Sequence, residues 1–318
     1  MTQQKQIFGY NTLSVVRVIS GITMELDVKR RTVMKVALAT LVTGTAGCTQ
    51  QSSDAKSLTA TVRNFSKVEK NDLSLQQDIA VRDSLQKVKY FDNTFAEDIF
   101  LKPEQIAVFK STLARISRVQ KVVGYANFNL LSLDEMLLYA NRYPQVGCFT
   151  KEELVFIEDI FSRDVNEFGF YGDKVLSQLS STINRKETVK IRGTGHYLFQ
   201  GDAINKFRRL QKDVGDDLVL TSGVRSIVKQ FKLFLAKLAA SNGNLSMASR
   251  SLAPPGHSYH GIGDFDVGKR DFGKLNFTAE FANTAEYHKL IQLKYVDLRY
   301  TRDNQVGVRY EPWHIKVV

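Results

Sequence analysis

Residues 254–266 read PPGHSYHGIGDFD, a loop that leads into a strand. Proline and glycine predict irregular backbone over most of the segment, and the alternation of charged and apolar residues from Asp264 onward predicts the strand. Two of the five histidines of the chain, His257 and His260, lie in this loop. Because alternate residues of a strand point to the same face, Asp264 and Asp266 are predicted to share one face.

A second polar segment, Glu311-Pro312-Trp313-His314, supplies another histidine. A catalytic zinc site needs three nitrogen or oxygen ligands and one open position for water. One histidine from each segment and one strand carboxylate provide that set, and a glutamate beside a ligand histidine is placed to act as a general base. Separate polar loops with hydrogen-bonded histidines are the alternative. That alternative suffices for any single histidine, whereas the two segments together favour a metal site.

The sequence around these segments mixes strands and helices. Strands are predicted at residues 188–191, 218–221 and 306–310, and helices at residues 201–212 and 227–240. No regular alternation of strand and helix is present, so the predicted fold class is α+β.

Upstream, residues 75–186 are predicted to form a helical region. Apolar residues at helical spacing follow Pro103 and stop at Gly124, and capping boxes begin at Ser132 and Thr150. One continuous helix is predicted behind the second box from an apolar stripe, which comprises Leu154, Ile157, Phe161, Val165 and Phe168. The helical region is expected to pack onto, or to position, the part that follows.

Residues 1–47 are predicted to be a signal peptide with upstream sequence, and Met24 is a second candidate for the start. The apolar run behind Lys35 is shorter than the about 20 residues that span a bilayer, and it fits the core of a signal peptide. The Arg30-Arg31 pair ahead of this run resembles a twin-arginine signal. The run ends in an arrangement that resembles a lipobox, so Cys48 is the predicted lipidation site. Residues 48–74 are predicted to be a flexible tether. The expected location is the periplasmic side of the cell envelope, with a membrane anchor; a short buried helix with an incidental cysteine is the alternative.

Several segments follow one another in the order found in a known family. They are Ser222-Gly223-Val224-Arg225-Ser226, Gln230, Ser258-Tyr259-His260, an aspartate on the next strand, and Glu311-Pro312-Trp313-His314. Over roughly residues 187–318 the chain resembles the zinc D-alanyl-D-alanine carboxypeptidases and dipeptidases, cell-wall peptidases related to the vancomycin-resistance enzymes. The resemblance implies a C-terminal zinc peptidase domain with a small antiparallel sheet and flanking helices.

The resemblance also implies roles for individual residues. The expected zinc ligands are His260, Asp266 and His314, the expected general base is Glu311, and Arg225 is expected to polarise the scissile carbonyl. The substrate site is expected to be lined by Ser258, Gln230 and Trp313. The family usually places its zinc aspartate seven residues after the first histidine, where this chain has Val267. Asp266 is favoured because it needs the smaller shift, and Asp264 and His257 are the alternatives.

The expected function is removal of D-alanine from peptidoglycan stem peptides that end in D-Ala-D-Ala. A D,D-dipeptidase, a peptidoglycan endopeptidase with the same zinc site, and a non-catalytic peptidoglycan-binding relative are the alternatives. The composition, 43% apolar and 24% charged, is that of a folded protein. The net charge of +11 would suit either nucleic acid or a polyanionic envelope, but the export signal and the lack of a basic recognition helix argue against nucleic acid. No obligate protein partner is expected.

Overall fold

The computed structural model describes residue 79 and residues 81–318. The predicted signal peptide, the lipidation site Cys48 and the predicted tether at residues 48–74 lie outside the described residues. Within the described part of the chain, no helix combines the length and the apolar character needed to cross a membrane.

The first half of the described chain is helical, as predicted. Its helices are α1 (described at residues 81–89), α2 (Ile106–Val123), α3 (Tyr125–Phe128), α4 (Leu133–Arg142) and α5 (Lys151–Ser162). Both predicted capping boxes are confirmed, because Ser132 accepts from the Glu135 amide and Thr150 accepts from the Glu153 amide. Gly124 ends α2 with φ of 86°, a conformation that favours glycine.

The single helix predicted behind Thr150 is wrong. Helix α5 ends at Ser162, and Asp164 begins a separate 3-10 turn, Val165–Phe168. The cause is local, because the Asp164 carboxylate accepts a hydrogen bond from the Asn166 amide and so competes with the helical backbone pattern. The apolar residues of the turn are buried all the same.

The second half is built on small antiparallel sheets with helices against them, which confirms the α+β class. Strands β1 (Thr188–Ile191) and β2 (His196–Phe199) form a hairpin, and β3 (Leu218–Ser222), β4 (Phe265–Lys269) and β5 (His314–Ile315) form a sheet in that order. The helices of this half are α6 (Asp202–Val214), α7 (Ile227–Ala240), α8 (Leu245–Ser251) and α9 (Ala285–Gln292).

The strand predicted at residues 306–310 is not formed. Gly307 has φ of 88°, which interrupts extended backbone. The flanking backbone groups bond to segments other than a strand, because the Val306 carbonyl accepts from the Tyr171 amide and the Arg309 amide donates to the Arg250 carbonyl at the end of α8. Strand β5 lies a few residues after this segment and pairs with β4, and the sequence patterns did not predict it.

One apolar core crosses the predicted boundary between residues 186 and 187. Helix α7 contributes Phe231, Phe234 and Leu238 to a cluster that also contains Ile116 and Phe128 from the helical region. A second cluster packs α6 and α9 against the β3–β4–β5 sheet. The predicted boundary thus marks a change from helices to mixed strands and helices along the chain, while the apolar core contains residues from both sides of it.

Candidate metal centre

Three of the predicted site residues converge at the paired ends of β4 and β5. Asp266 lies opposite His314 in the strand register. His260 lies in a 3-10 turn, Tyr259–Gly261, which precedes β4. Asp266 Oδ1 is 3.2 Å from His260 Nε2 and 3.3 Å from His314 Nδ1. All three side chains are buried. The antiparallel pairing therefore brings together residues that are far apart in the sequence.

Hydrogen bonds on the far side of each imidazole orient the two rings. His260 Nδ1 lies 2.9 Å from the Gly223 carbonyl, which only accepts, so the proton sits on Nδ1 and Nε2 keeps its lone pair. His314 Nε2 lies 3.0 Å from Asp264 Oδ2, so its Nδ1 faces Asp266 and presents a lone pair once it has lost its proton. Both rings consequently direct their inner nitrogen toward Asp266.

The centre contains buried polar atoms that the protein itself does not satisfy. Among the residues that the structure describes, His260 Nε2 and Asp266 Oδ1 have no hydrogen-bond partner. An imidazole lone pair and a carboxylate oxygen facing each other repel unless a cation lies between them. Two imidazole nitrogens and one carboxylate oxygen form a donor set that catalytic Zn²⁺ uses, with a fourth position left for water. The residues present therefore fit a zinc ion.

The charges around the rings favour a cation in this position. Burial, and next the charge of Arg225, lower the pKa of His260 to about 4, so this ring is neutral and available as a ligand. Burial alone would lower the pKa of His314, but its hydrogen bonds to Asp264 and Glu311 and the charge of Asp266 raise it to about 9. At neutral pH the ring therefore holds a second proton, which a metal ion bound at Nδ1 would displace. Although burial opposes it, the neighbouring His260 and Arg225 hold the pKa of Asp266 well below its usual range. The carboxylates thus remain ionised beside the histidines.

Glu311 completes one side of the centre. Its Oε2 is 3.4 Å from His314 Nδ1, and its backbone amide donates to the Tyr300 carbonyl at 3.0 Å. The side chain is largely buried. The predicted base therefore faces the point on which the three predicted ligands converge.

Arg225 contacts the Asp266 carboxylate oxygen that does not face the histidines. Its Nη2 donates to Asp266 Oδ2, and its Nε donates to Ser222 Oγ at 3.0 Å. The Arg225 amide also donates to the His260 carbonyl at 3.1 Å, which ties the turn after β3 to the histidine loop. The guanidinium is thus adjacent to the candidate centre, and its contact with a substrate carbonyl stays a prediction.

The residues predicted to line the substrate site have structural contacts in this protein. Gln230 donates to the Arg225 carbonyl at 3.0 Å and accepts from the Gly256 amide at 2.9 Å, so it links two loops of the centre. Trp313 is 2% exposed and packs edge to face against Phe277. Ser258 is buried at the start of the turn that carries His260. Substrate contacts for these three residues stay predictions.

The two alternatives for the carboxylate ligand are placed elsewhere. His257 Nδ1 lies 3.1 Å from the carbonyl oxygens of Gly172 and Asp173, away from the ligand cluster. Asp264 faces the outer nitrogen of His314 and accepts from the Val317 amide at 2.8 Å. Both positions leave Asp266 as the carboxylate that shares a centre with His260 and His314.

Sequence reasoning missed Arg299, which binds Asp264 from the other side. Its guanidinium donates to Asp264 through Nε and Nη2 and stacks 3.4 Å from the Tyr259 ring centre. Tyr259 in turn donates to Asp173 at 2.9 Å. No motif or spacing singles out Arg299 among the many basic residues of the chain. Sequence reasoning also missed His196. Burial and the nearby charges of Lys229 and Arg225 lower the pKa of this histidine to about 4.

One known family matches the part of the chain that contains the candidate centre. Residues 198–318 match the sequence model of the family described as VanY, D-alanyl-D-alanine carboxypeptidase. The matched part includes all the predicted site residues except Cys48. A search of curated protein sequences gives no match.

Solved structures give weaker likenesses. The LdcB LD-carboxypeptidase is 26% identical, with 38% of this chain and 59% of that chain covered and a TM-score of 0.32. A vancomycin-resistance D,D-pentapeptidase VanY solved with Zn(II) is 21% identical, with 42% and 78% covered and a TM-score of 0.33. VanYB with D-alanine-D-alanine is 18% identical, with 48% and 86% covered and a TM-score of 0.35. This chain thus spans less than two thirds of the length of LdcB. TM-scores of this size do not establish a shared fold, so the match to the VanY family model is the stronger finding.

Proposed function

We propose that the protein is a zinc-dependent D,D-carboxypeptidase, because residues 198–318 match the sequence model of the VanY family of D-alanyl-D-alanine carboxypeptidases. Its proposed substrates are peptidoglycan stem peptides that end in D-Ala-D-Ala. One observation supports the zinc chemistry most directly. Two buried atoms, His260 Nε2 and Asp266 Oδ1, face each other with no hydrogen-bond partner in the described part of the chain, and they belong to a donor set that zinc uses.

Each residue of the centre has a proposed part in the hydrolysis. Zinc held by His260, Asp266 and His314 would supply Lewis-acid polarisation and lower the pKa of a water molecule. Glu311 accepts a proton from the attacking water at Oε2 and returns it to the leaving amine. Arg225 donates a hydrogen bond to the substrate oxygen on which negative charge develops. To do so, Arg225 exchanges part of its present contact with Asp266.

The alternatives differ in what they demand of the centre. A non-catalytic peptidoglycan-binding relative has no use for zinc, and it would leave the partnerless pair His260 Nε2 and Asp266 Oδ1 buried at a cost of about 1–3 kcal/mol per group. A D,D-dipeptidase or an endopeptidase would use the same residues on a different peptide. The choice of substrate is therefore an outcome of the experiment.

The experiment compares zinc content and hydrolysis in the same preparations. Purified protein is assayed for zinc by elemental analysis and incubated with stem pentapeptide, cross-linked muropeptide and free D-Ala-D-Ala. Zinc at one ion per chain and release of D-alanine from the pentapeptide are expected. Cleavage of free dipeptide alone, or of the cross-link alone, would replace the proposal with a dipeptidase or an endopeptidase.

A substitution of Glu311 separates the base from the ligands. Glu311→Gln is expected to retain zinc and to lose about 10²–10⁴-fold in turnover, since general acid–base assistance is typically of that size. Glu158→Gln, at an exposed position on α5, is the matched control and should behave as the parent. Turnover near the parent value in Glu311→Gln would refute the assignment of the base.

We further propose that the protein acts outside the cytoplasm as a lipoprotein anchored through Cys48. The support is the resemblance of the N-terminal segment to export and lipidation signals. Cys48→Ser is expected to release the protein from membranes or to leave it unprocessed, as judged by fractionation and by the mass of the N-terminus. Membrane partition that is unchanged in this variant would count against the anchor.

A further inference from the structure

A cleft of about 780 Å³ lies between the segment around α1 and the loop that leads to Glu311. Leu85, Val88 and Phe91 contribute to one wall, and Arg302 and Tyr310 contribute to the other. Ligand sites in proteins commonly measure about 300–1,000 Å³, so this cleft is large enough for part of a peptide.

The cleft carries an excess of positive charge. Lys89, Arg302 and Arg309 line it, against one carboxylate, Glu280, which already accepts from the Asn283 amide group at 3.0 Å. Within the described part of the chain, no carboxylate pairs with Lys89 or Arg302. Lys89 Nζ lies 5.4 Å from the Tyr90 ring centre, and the Arg302 guanidinium lies 4.2 Å from that of Tyr310. Two cations are therefore available to an anionic ligand.

One residue that lines the cleft, Arg309, lies beside the proposed base. Its Nε is 3.9 Å from Glu311 Oε1 and has no hydrogen-bond partner among the described residues. Tyr310, the residue before Glu311, is held by a 2.6 Å contact between its hydroxyl and that of Tyr287. A peptide whose end lies at the candidate centre would therefore reach the cleft with the residues next to that end.

The wall that contains α1 is attached firmly to the rest of the protein. Arg250 donates to both oxygens of Asp98, at 2.7 and 3.0 Å, and to the backbone carbonyl of Asn93 at 2.9 Å. Arg250 and Asp98 are both buried. The Phe91 ring is also covered by the Arg309 guanidinium at 4.7 Å. The cleft is thus formed in the folded protein before any ligand binds.

We propose that this cleft binds the part of the substrate peptide that precedes D-Ala-D-Ala, and that Lys89 and Arg302 select peptides with a carboxylate side chain there. This inference rests on the proposed function and adds a substrate preference to it. The partly exposed apolar side chain of Leu85 accommodates the aliphatic part of such a peptide, while the two cations bind its carboxylate. The helical region then contributes one wall of the substrate site.

The test uses two acetylated peptides that end in D-Ala-D-Ala and differ at one residue, glutamate or glutamine, two positions before the first D-alanine. The zinc-loaded full chain is expected to hydrolyse the glutamate peptide with a kcat/KM about fivefold higher, as two solvent-exposed charge contacts allow. Raising the salt from low to high concentration should shrink this preference. Lys89→Gln and Arg302→Gln should each reduce it, and the double variant should abolish it. Lys121→Gln, an exposed lysine at the end of α2, removes the same charge elsewhere and should change nothing.

Binding is measured separately, so that failure of hydrolysis does not obscure the result. In Glu311→Gln, calorimetry should show tighter binding of the glutamate peptide, and adding Lys89→Gln and Arg302→Gln should remove the difference. If the parent hydrolyses both peptides equally and Glu311→Gln binds them equally, the inference is wrong while the proposed function stands. A preference that survives the double variant would also overturn it. If no D-Ala-D-Ala peptide is hydrolysed but the charge-dependent binding is found, the proposed function fails and the binding cleft remains.

Discussion

Asp264 and Asp266, two residues apart on one strand, have different surroundings. Asp266 Oδ1 faces both imidazoles, and no described residue forms a hydrogen bond with it. Asp264 is occupied on all sides, because it accepts from Arg299, from the Val317 amide and from the outer nitrogen of His314. Asp266 is thus placed to ligate a metal directly, and Asp264 is placed to hold His314 in the orientation that ligation needs.

The two aspartates are therefore expected to respond differently to the same substitution. Asp266→Asn should lose zinc and activity together, since the amide lacks the negative charge that offsets Zn²⁺. Asp264→Asn should weaken zinc binding by about 10–100-fold, the usual effect of removing a partner of a metal-binding histidine. Zinc affinity is measured by competition with a chelator. The assignment is reversed if Asp264→Asn loses zinc and Asp266→Asn keeps it, and the metal site itself is in doubt if both bind zinc normally.

The turn between β3 and α7 is the element that positions the centre. The Gly223 carbonyl bonds His260 Nδ1 at 2.9 Å, and the next amide, that of Val224, donates to the Tyr197 carbonyl on β2 at 2.8 Å. A Cβ on Gly223 would lie 2.0 Å from that same Tyr197 oxygen. Only glycine allows β2 and this turn to approach so closely, and the approach sets the position of the carbonyl that orients His260.

Gly223→Ala is expected to destabilise the fold and to weaken zinc binding. Backbone must move to relieve the clash, which we expect to cost about 2–3 kcal/mol of unfolding free energy. Gly193→Ala is the control, because Gly193 has φ of 79° but a Cβ there meets nothing within 4 Å. It should cost about 1–2 kcal/mol from backbone strain alone and leave zinc affinity unchanged. Thermal unfolding and a zinc titration provide both values, and parent-like zinc affinity in Gly223→Ala would contradict the role given to this turn.

At the scale of the whole molecule, the helical region and the part of the chain that matches the VanY family model share a core. Helix α7 lies inside the family match, yet it buries six apolar side chains against the cluster that contains α2, α4 and α5: Ile227, Val228, Phe231, Phe234, Leu235 and Leu238. The cleft adds a second connection, because one of its walls belongs to the segment around α1. The domain that carries the candidate centre therefore depends on sequence outside its family match.

A fragment of residues 187–318 is expected not to fold by itself. Burial of each large apolar side chain contributes about 1.5–3 kcal/mol of unfolding free energy. Exposure of the six side chains on α7 therefore costs as much as the whole stability of a typical domain, which is about 5–15 kcal/mol. Urea unfolding followed by circular dichroism compares this fragment with residues 49–318, which should unfold in one cooperative transition. A fragment that unfolds cooperatively and binds zinc as tightly as the longer chain would show it to be an independent domain.

The sequence by itself determined the features that depend on neighbours three or four residues apart. The capping boxes at Ser132 and Thr150, the start of α2 behind Pro103 and the α+β class follow from local patterns, and the structure confirms them. The motif residues of the centre were also recognisable, because their types and order resemble a known family. The division between α5 and the turn at Val165 was not predicted, since an apolar stripe continues through both and only the Asp164 hydrogen bond separates them.

Only the tertiary structure decided which aspartate faces the histidines, that residues 306–310 form no strand, and that Arg299 supports His314 through Asp264. Each depends on pairing between distant segments, such as Asp266 opposite His314 in the β4–β5 register. A strand pattern places Asp264 and Asp266 on one face without saying what lies opposite each of them. The cleft is tertiary for the same reason, because Lys89 and Arg302 come from opposite ends of the described chain and line the same cleft only in the folded protein.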